Sequence, residues 1–509
     1  VIRAILSVGG WTLVSRVTGF ARDVVMAAVM GAGPMADAFV VAFRLPNHFR
    51  AIFGEGAFNT AFVPAYAGLS EAGADGAAQR FADRIFTLML AVQVVLLAVA
   101  IPAMPWVVRA LAPGFAEDPQ RFDLAVALTR ITFPYLLFMT LVTLLSGVLN
   151  AQRRFAVAAG APVLLNLAML AALSLAFLFP DAAHAAAWGV AVSGVLQFGL
   201  LWWGCRRAGV APRLSRPSLR DPAMRRFFAV LGPAVVGAAG FQIATFADTI
   251  IASFLPTGAV SALYYADRLY QLPFGVIAIA AGTVLLPEMS RRIAAGDVSG
   301  AHAAQNRAAG FSLALSAPFT VAFLTLPGLT MAALFQRGAF SADDAARAAS
   351  VLAAYGLALP AVVLVRSAVA SFYSRQDTRT PLWASLTAIA VNVVLKLWLT
   401  GPYGVVGLAL ATAISQWVNL LILVALAWRR GWTAPSRTLG LTILGVALSC
   451  AALALVAVYG LPVVESLVPA LPRGREVAVL ALLGVAGAAV YGGLLAGLLH
   501  LFGLRLRRA

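Results

Sequence analysis

Arg16, Arg22 and Asp23 interrupt an otherwise apolar stretch near the start of the chain, in SRVTGFARDVVMA, residues 15–27. The next apolar stretch carries Asp37, Arg44, Arg50 and Glu55. A charged side chain at the centre of a lipid-embedded helix costs about 2.5–3.5 kcal/mol on insertion scales, so such residues face a cavity or a partner. Arginine suits one chemistry there. Its guanidinium presents five donors in a planar fork that matches phosphate oxygens. A cationic, partly dry cavity of this kind favours a phosphate or pyrophosphate headgroup.

Helical spacing sorts these residues in part. Arg16 and Asp23 are seven apart and share a face, as do Asp37 and Arg44. Arg22 lies about a third of a turn from Arg16, so the charge spreads over a wide polar face. Gly19 between them permits close helix approach or a bend. A structural reading stands beside the binding one: Arg16 and Asp23 pair, Arg50 snorkels to the edge of its span, and Glu55 is only a partner. His48, four residues after Arg44, shares its face and is a candidate proton carrier. Further along come Asp248, Asp267, Arg268 and Glu288, then Arg366 and Lys396, the only lysine. No nucleophile with its base, metal cluster or phosphate loop is present in the pattern. The reading is therefore no enzyme, no cofactor and no metal. Cys205 and Cys450 lack redox or metal spacing and read as packing residues.

The elements that must position these charges are membrane spans. Of 509 residues, 61% are hydrophobic and only 11% charged, with a mean hydropathy of +0.90. A soluble domain carries about 25% charged residues. Fourteen apolar segments can be drawn, most long enough to cross about 30 Å of hydrocarbon. They fall near 5–30, 34–62, 84–109, 124–150, 158–179, 184–204, 226–254, 260–289, 308–334, 348–373, 381–399, 404–428, 438–461 and 477–502. Helices satisfy their own backbone in lipid, and the short alternating segments of a barrel are missing. The first segment is too long and too charged for a cleavable signal peptide. The expected class is an all-α polytopic membrane protein with 14 transmembrane helices.

The net charge of +17 is distributed as a membrane protein distributes it. Arginines crowd every second loop, most densely between Arg206 and Arg226, and the alternate loops hold few. The positive-inside rule then puts both termini in the cytoplasm. A nucleic-acid surface would need a basic face or a binding motif, and the pattern offers neither.

The chain also repeats itself after about 220 to 227 residues. Leu45-Pro46 through Pro64 is echoed by Leu272-Pro273 through Pro287, and ALAPGFAEDP (110–119) by ALFQRGAFSADD (333–344). Pro134 is echoed by Pro360, NAQRRFAVAAGAP leading to Asn166 by SRQDTRTP leading to Asn392, and WGVAVSGVLQ by VGLALATAISQ. Such halves build many secondary transporters, with a site between them. The expected organisation is a six-helix lobe over 1–205, a basic cytoplasmic linker over 206–225, a pseudo-symmetric six-helix lobe over 226–430, and two added helices with a basic tail over 431–509.

Several long stretches resemble the MurJ/MviN family of lipid II flippases of the bacterial cell envelope. They are SRVTGFARD (15–23), ADAFVVAFRLPN (36–47), IFGEGAFNTAFVP (52–64), APGF (112–115), ITFPY (131–135), YYADRLYQLPFGV (264–276) and FYSRQDTRTP (372–381). The resemblance runs across nearly the whole chain. It implies a V-shaped pair of lobes of the kind shared by multidrug and polysaccharide exporters. It implies movement of undecaprenyl-pyrophosphate-linked disaccharide-pentapeptide, lipid II, from the cytoplasmic to the periplasmic leaflet of the inner membrane by alternating access. The substrate-binding residues it implies are Arg16, Arg22, Asp37, Arg50 and Arg268, with Asp23, Arg44, Glu55 and Asp267 in support. The segment 438–502 is expected to form a groove for the lipid tail. The expected partners are lipid II and membrane lipids, with a cell-wall glycan polymerase as a candidate neighbour, around a monomer.

Two departures from the family pattern stand out. Some relatives hold sodium with an aspartate, an asparagine, a second aspartate and a threonine, which correspond here to Asp248, Asn392, Lys396 and Thr412. Lysine in place of the second acid implies an ammonium in the role of the ion, paired with Asp248; the alternative is that Lys396 reaches the membrane interface near Trp398. Gln271 stands where some relatives carry an acid. The competing functions are export of another lipid-linked glycan, multidrug antiport, and a non-transporting cell-wall scaffold. A drug exporter would want a more apolar or acidic cavity.

Overall fold

The computed structural model describes residues 2–52, 58–71, 76–216, 221–468 and 474–503. Among these, all regular structure is helical. The chain divides into two compact units, residues 1–261 and 262–509.

The first unit opens with α1 (Ile2–Met30) and α2 (Pro34–Ile52), followed by α3 (Phe58–Glu71), α4 (Ala77–Ala100) and the short α5 (Met104–Leu111). Next come α6 (Pro119–Thr132), α7 (Tyr135–Ala151), α8 (Phe155–Ser174), α9 (Ala182–Arg207) and α10 (Pro222–Ser253). Here α1 lies on α8, α8 and α7 on α9, and α2 on α6. Helix α10, which the repeat assigns to the second lobe, packs on α2 and α3 in this unit. Helix α11 (Ala259–Ala294) begins at the boundary. The second unit continues with α12 (Val298–Thr325), the short α13 (Pro327–Phe335), α14 (Ala342–Tyr373), α15 (Arg379–Arg429), α16 (Arg437–Leu467) and α17 (Arg475–Leu501). There α14 packs on α15 and α12, and α16 on α17 and α12. Both units contain a long helix followed by a short one, α4 and α5 in the first and α12 and α13 in the second. Next come α6 and α7, divided at Pro134, in the first and the single α14, with Pro360 inside it, in the second.

Helix ends follow local chemistry. Asp118, Asp181 and Asp221 accept backbone N–H groups at the starts of α6, α9 and α10, and Ser341 with Asp344 closes a capping box on α14. Each satisfies donors that the first helical turn leaves open. Several expected spans hold more than one helix, among them 308–334, which turns at Leu326 between α12 and α13. The 34–62 segment contains the separate helices α2 and α3. The 84–109 segment turns at Ile101–Ala103 between α4 and α5, and 124–150 breaks at Phe133-Pro134 between α6 and α7. Proline lacks the N–H that would continue the ladder. Conversely, 381–399 and 404–428 fall within the one helical run α15, 51 residues long. Straight, it would measure about 75 Å, over twice the hydrocarbon thickness. It is interrupted at Gly404, whose φ 52°, ψ −132° suits only glycine. Gly407 then passes so close to Leu399 that a Cβ would lie 2.3 Å from its carbonyl oxygen.

Among the described residues, nine helical stretches are long and apolar enough to cross a membrane. The chain is therefore an all-α, multi-pass membrane protein. Four further long helices, α1, α2, α10 and α11, hold most of the charged positions singled out above, while Arg366 lies on α14 and Lys396 on α15. The basic linker is strapped along α4 over its described part: Gln79 donates to the Ala211 carbonyl (3.0 Å), the Arg213 N–H to Asp83 (2.7 Å) and the Ser215 N–H to Thr87 (2.9 Å). Arg84 pairs with Asp221 at its far end.

Candidate functional site

On α1, Arg16 is half-buried while Arg22 and Asp23 are only 6% and 3% exposed. Arg22 reaches its own neighbour: Nη2 and Nε lie 2.7 and 3.1 Å from the Asp23 carboxylate. The expected alternative, an Arg16–Asp23 pair, is thus corrected to an Arg22–Asp23 pair. A helical wheel separates adjacent residues by about 100°, but the arginine stem is long enough to swing its head across that gap. Arg22 Nη1 also donates to Asn166 on α8 (3.0 Å), and its guanidinium lies 5.9 Å from the centre of the Phe43 ring. Gly19 serves close approach, since α1 runs unbroken and a Cβ there would sit 3.3 Å from the Asn166 amide nitrogen.

Asp37, in the first turn of α2, is fully buried. One oxygen accepts Arg121 Nη2 from α6 (2.6 Å) and the Gly258 N–H (2.7 Å). The other accepts the N–H (2.8 Å) and hydroxyl (2.7 Å) of Ser261. Arg121 is in turn covered by the Phe115 ring, 3.7 Å from its centre. Every lone pair that an ionised carboxylate offers here has a donor. The arrangement binds α2 and α6 to the 258–261 junction.

A second polar seam joins α2 to α10. Arg44 donates to Thr249 (3.1 Å), and His48 meets Gln242 (3.0 Å) beside the Phe246 ring. Asp248, one residue before Thr249, is half-buried. Arg50, half-buried at the end of α2, donates to Asn47 (3.0 Å). Glu55 lies outside the described residues.

In the second unit Arg268 lies over the Tyr264 ring, 4.7 Å from its centre, and Asp267 accepts the Gln271 amide. On α15, Asn392 donates to Thr412 (3.4 Å) and to Ser415 (3.2 Å). Lys396, one turn on, is 1% exposed, whereas Trp398 is 73% exposed. The alternative in which Lys396 reaches the interface is thereby corrected: its helix face turns inward, and Trp398 occupies the outer face. Among the described residues no three His, Cys, Asp or Glu side chains converge as metal ligands.

The structure thus brings Arg22, Asp23 and the α1–α8 contact together, seats Asp37 in a knot of its own, and joins Asn392 with Thr412. Sequence reasoning missed Arg121 and Ser261 as partners of Asp37, and Asn166 as the partner of Arg22. Only Asn166 carried a signal, through its echo at Asn392.

The class comes first from the fold. A solved structure described as "Lipid II flippase MurJ, inward closed conformation" matches with a TM-score of 0.81, covering 97% of this chain and 99% of that one at 22% identity. An inward-facing multidrug resistance MATE family transporter of the MOP superfamily matches with a TM-score of 0.69 at 16% identity, over 82% and 94% of the two chains. The fold is the one these transporters share. The family comes from the sequence. Residues 26–470 match the family described as "Lipid II flippase MurJ". "Probable lipid II flippase MurJ" of Rhizobium tropici is 41% identical over 447 residues, 86% of this chain and 84% of the relative. "Lipid II flippase MurJ" of Burkholderia cenocepacia is 37% identical over 440 residues, 85% of each. The chain belongs to the MurJ family of lipid II flippases.

Proposed function

We propose that the protein moves lipid II from the cytoplasmic to the periplasmic leaflet of the bacterial inner membrane by alternating access. Family membership over most of the chain carries the reading, and the buried arginine of α1 supports it. In this account 14 spans form two six-helix lobes, 1–205 and 226–430, joined by the linker 206–225. The spans within 431–509 guide the lipid tail, and both termini are cytoplasmic.

Arg16, Arg22, Arg50 and Arg268 receive the pyrophosphate. Forked donors in a low-dielectric site hold it more strongly than they would in water. Asp37, with Arg44, Asp23, Glu55 and Asp267, shapes and balances the site. The undecaprenyl tail stays in lipid, since transferring its apolar surface elsewhere gains nothing. Outward release of a negative headgroup runs with a negative-inside potential, worth about 2.3 kcal/mol per charge per 100 mV. At Asn392, Thr412 and Asp248 the Lys396 ammonium takes the place of sodium, so the protein binds none there. It works as a monomer, with a cell-wall glycan polymerase as a candidate neighbour.

Complementation tests the reading. Cells depleted of their own flippase should grow on this protein and fail on R16A and R268A variants present at equal membrane levels. Failure of the unaltered, well-inserted protein to support growth would count against lipid II as the substrate.

A further inference from the structure

The repeat singles out Asn166 and Asn392, and the flippase reading gives Asn166 no task. Its surroundings do. Asn166 is buried on α8 and touches α1 at three points. Its Oδ1 accepts Arg22 Nη1 (3.0 Å), while its Nδ2 donates to the Ser15 carbonyl (2.9 Å) and the Thr18 hydroxyl (3.1 Å). The amide orientation follows from this chemistry. Turned over, it would set NH2 against the guanidinium and oxygen against a carbonyl. The same approach uses Gly19, where a Cβ would come within 3.3 Å of Nδ2.

Asp23 and Asn166 grip Arg22 in different ways. Asp23 holds Nε and Nη2 with a charge. Asn166 holds Nη1 with a neutral oxygen. A second carboxylate would hold the arginine as firmly, but it would leave the region with no net positive charge for a phosphate. A neutral acceptor fixes the fork and preserves the field that an anion meets.

We infer that Asn166 is a positioning residue for the pyrophosphate-binding arginine Arg22, orienting its guanidinium without neutralising it. This rests on the flippase reading above. Asn166 acts through Arg22 and sets how strongly the α1 arginines hold a pyrophosphate-linked lipid.

The test is equilibrium binding of fluorescently labelled lipid II to the full-length protein in detergent, on the monodisperse fraction of wild type, R22A, N166A and N166D. N166A should bind about tenfold more weakly than wild type, the order of one charge-assisted hydrogen bond. N166D should bind more weakly still, although it can still accept from Arg22, and raised salt should narrow its deficit relative to N166A. A merely structural Asn166 would also weaken N166D, since its second oxygen would face the Ser15 carbonyl, but that deficit would not move with salt; an N166D deficit unchanged by salt would overturn the inference. N166D binding as well as N166A or better would overturn the inference. So would N166A binding like wild type while R22A is weak, an outcome that leaves the flippase reading standing. If R22A binds like wild type, Arg22 leaves the binding set and Asn166 loses its role with it. No binding by wild type would defeat the flippase reading itself. Should N166A not fold, the comparison of N166D with wild type decides: a loss that narrows as salt is raised supports the inference, and equal affinity or a loss unmoved by salt overturns it.

Discussion

Removing the Asp37 carboxylate should unfasten the first unit. The side chain is fully buried and accepts four donors, one of them the guanidinium of Arg121, itself 5% exposed. D37A leaves that cation buried against Phe115 without its counter-charge and strands the N–H groups of Gly258 and Ser261. Deleting one partner of a buried pair costs about 3–5 kcal/mol, and orphaned amides add to that. D37N should be nearly as damaging, because its NH2 would confront either Arg121 and Gly258 or Ser261, all of them donors. The assay is thermal unfolding of the detergent-purified protein, read by a maleimide dye reaching the buried thiol of Cys205. Both variants should melt several degrees below wild type. D37A combined with R121M should be less unstable than the two single losses summed, by about 1 kcal/mol or more, since the double change removes the stranded charge. Wild-type melting in D37A, or strictly additive losses in the double variant, would refute this account of the knot.

Three further outcomes follow from single contacts. G114A should destabilise by about 1–3 kcal/mol in the same melting assay, because its Cβ would lie 2.3 Å from the backbone oxygen of Ser253. Asp377, in the loop before α15, is held down to about 2 by the N–H and hydroxyl of Thr380, with Arg430 adding to this. A depressed carboxylate contributes stability above its unfolded value of about 3.9 and loses it as pH falls through the folded one. The melting difference between wild type and D377N should therefore be constant from about pH 5 to 8 and shrink between about pH 4 and 2. Exchanging potassium for sodium should leave wild-type melting unchanged; sodium stabilisation that disappears in D248A would contradict a lysine-filled ion position.

Periodicity and composition made the helices legible, and charge in apolar runs marked α1 and α2 as the polar helices. The interruption at Gly404 was legible, since 381–399 and 404–428 read as separate spans, but the break at Pro134 was not, since 124–150 read as one. Pairings were not legible either. Arg121 reaches Asp37 from another helix, and nothing local to either residue announces the other. Arg22 turns to its sequence neighbour Asp23 because a flexible four-bond stem defeats a helical wheel. Asn166 became visible only as half of an internal echo. Lys396 was legible as a departure from the family pattern, but its inward face depended on how α15 packs.

The central claim is that α1 and α11 arginines carry lipid II across the membrane. It is tested most directly by measuring lipid II on the outer leaflet of cells depleted of their own flippase and supplied with this protein, R16A or R268A at matched membrane levels. The account predicts normal exposure with wild type and loss with both variants. Full exposure with both variants would contradict it, and would leave those charges with the task of holding helices together.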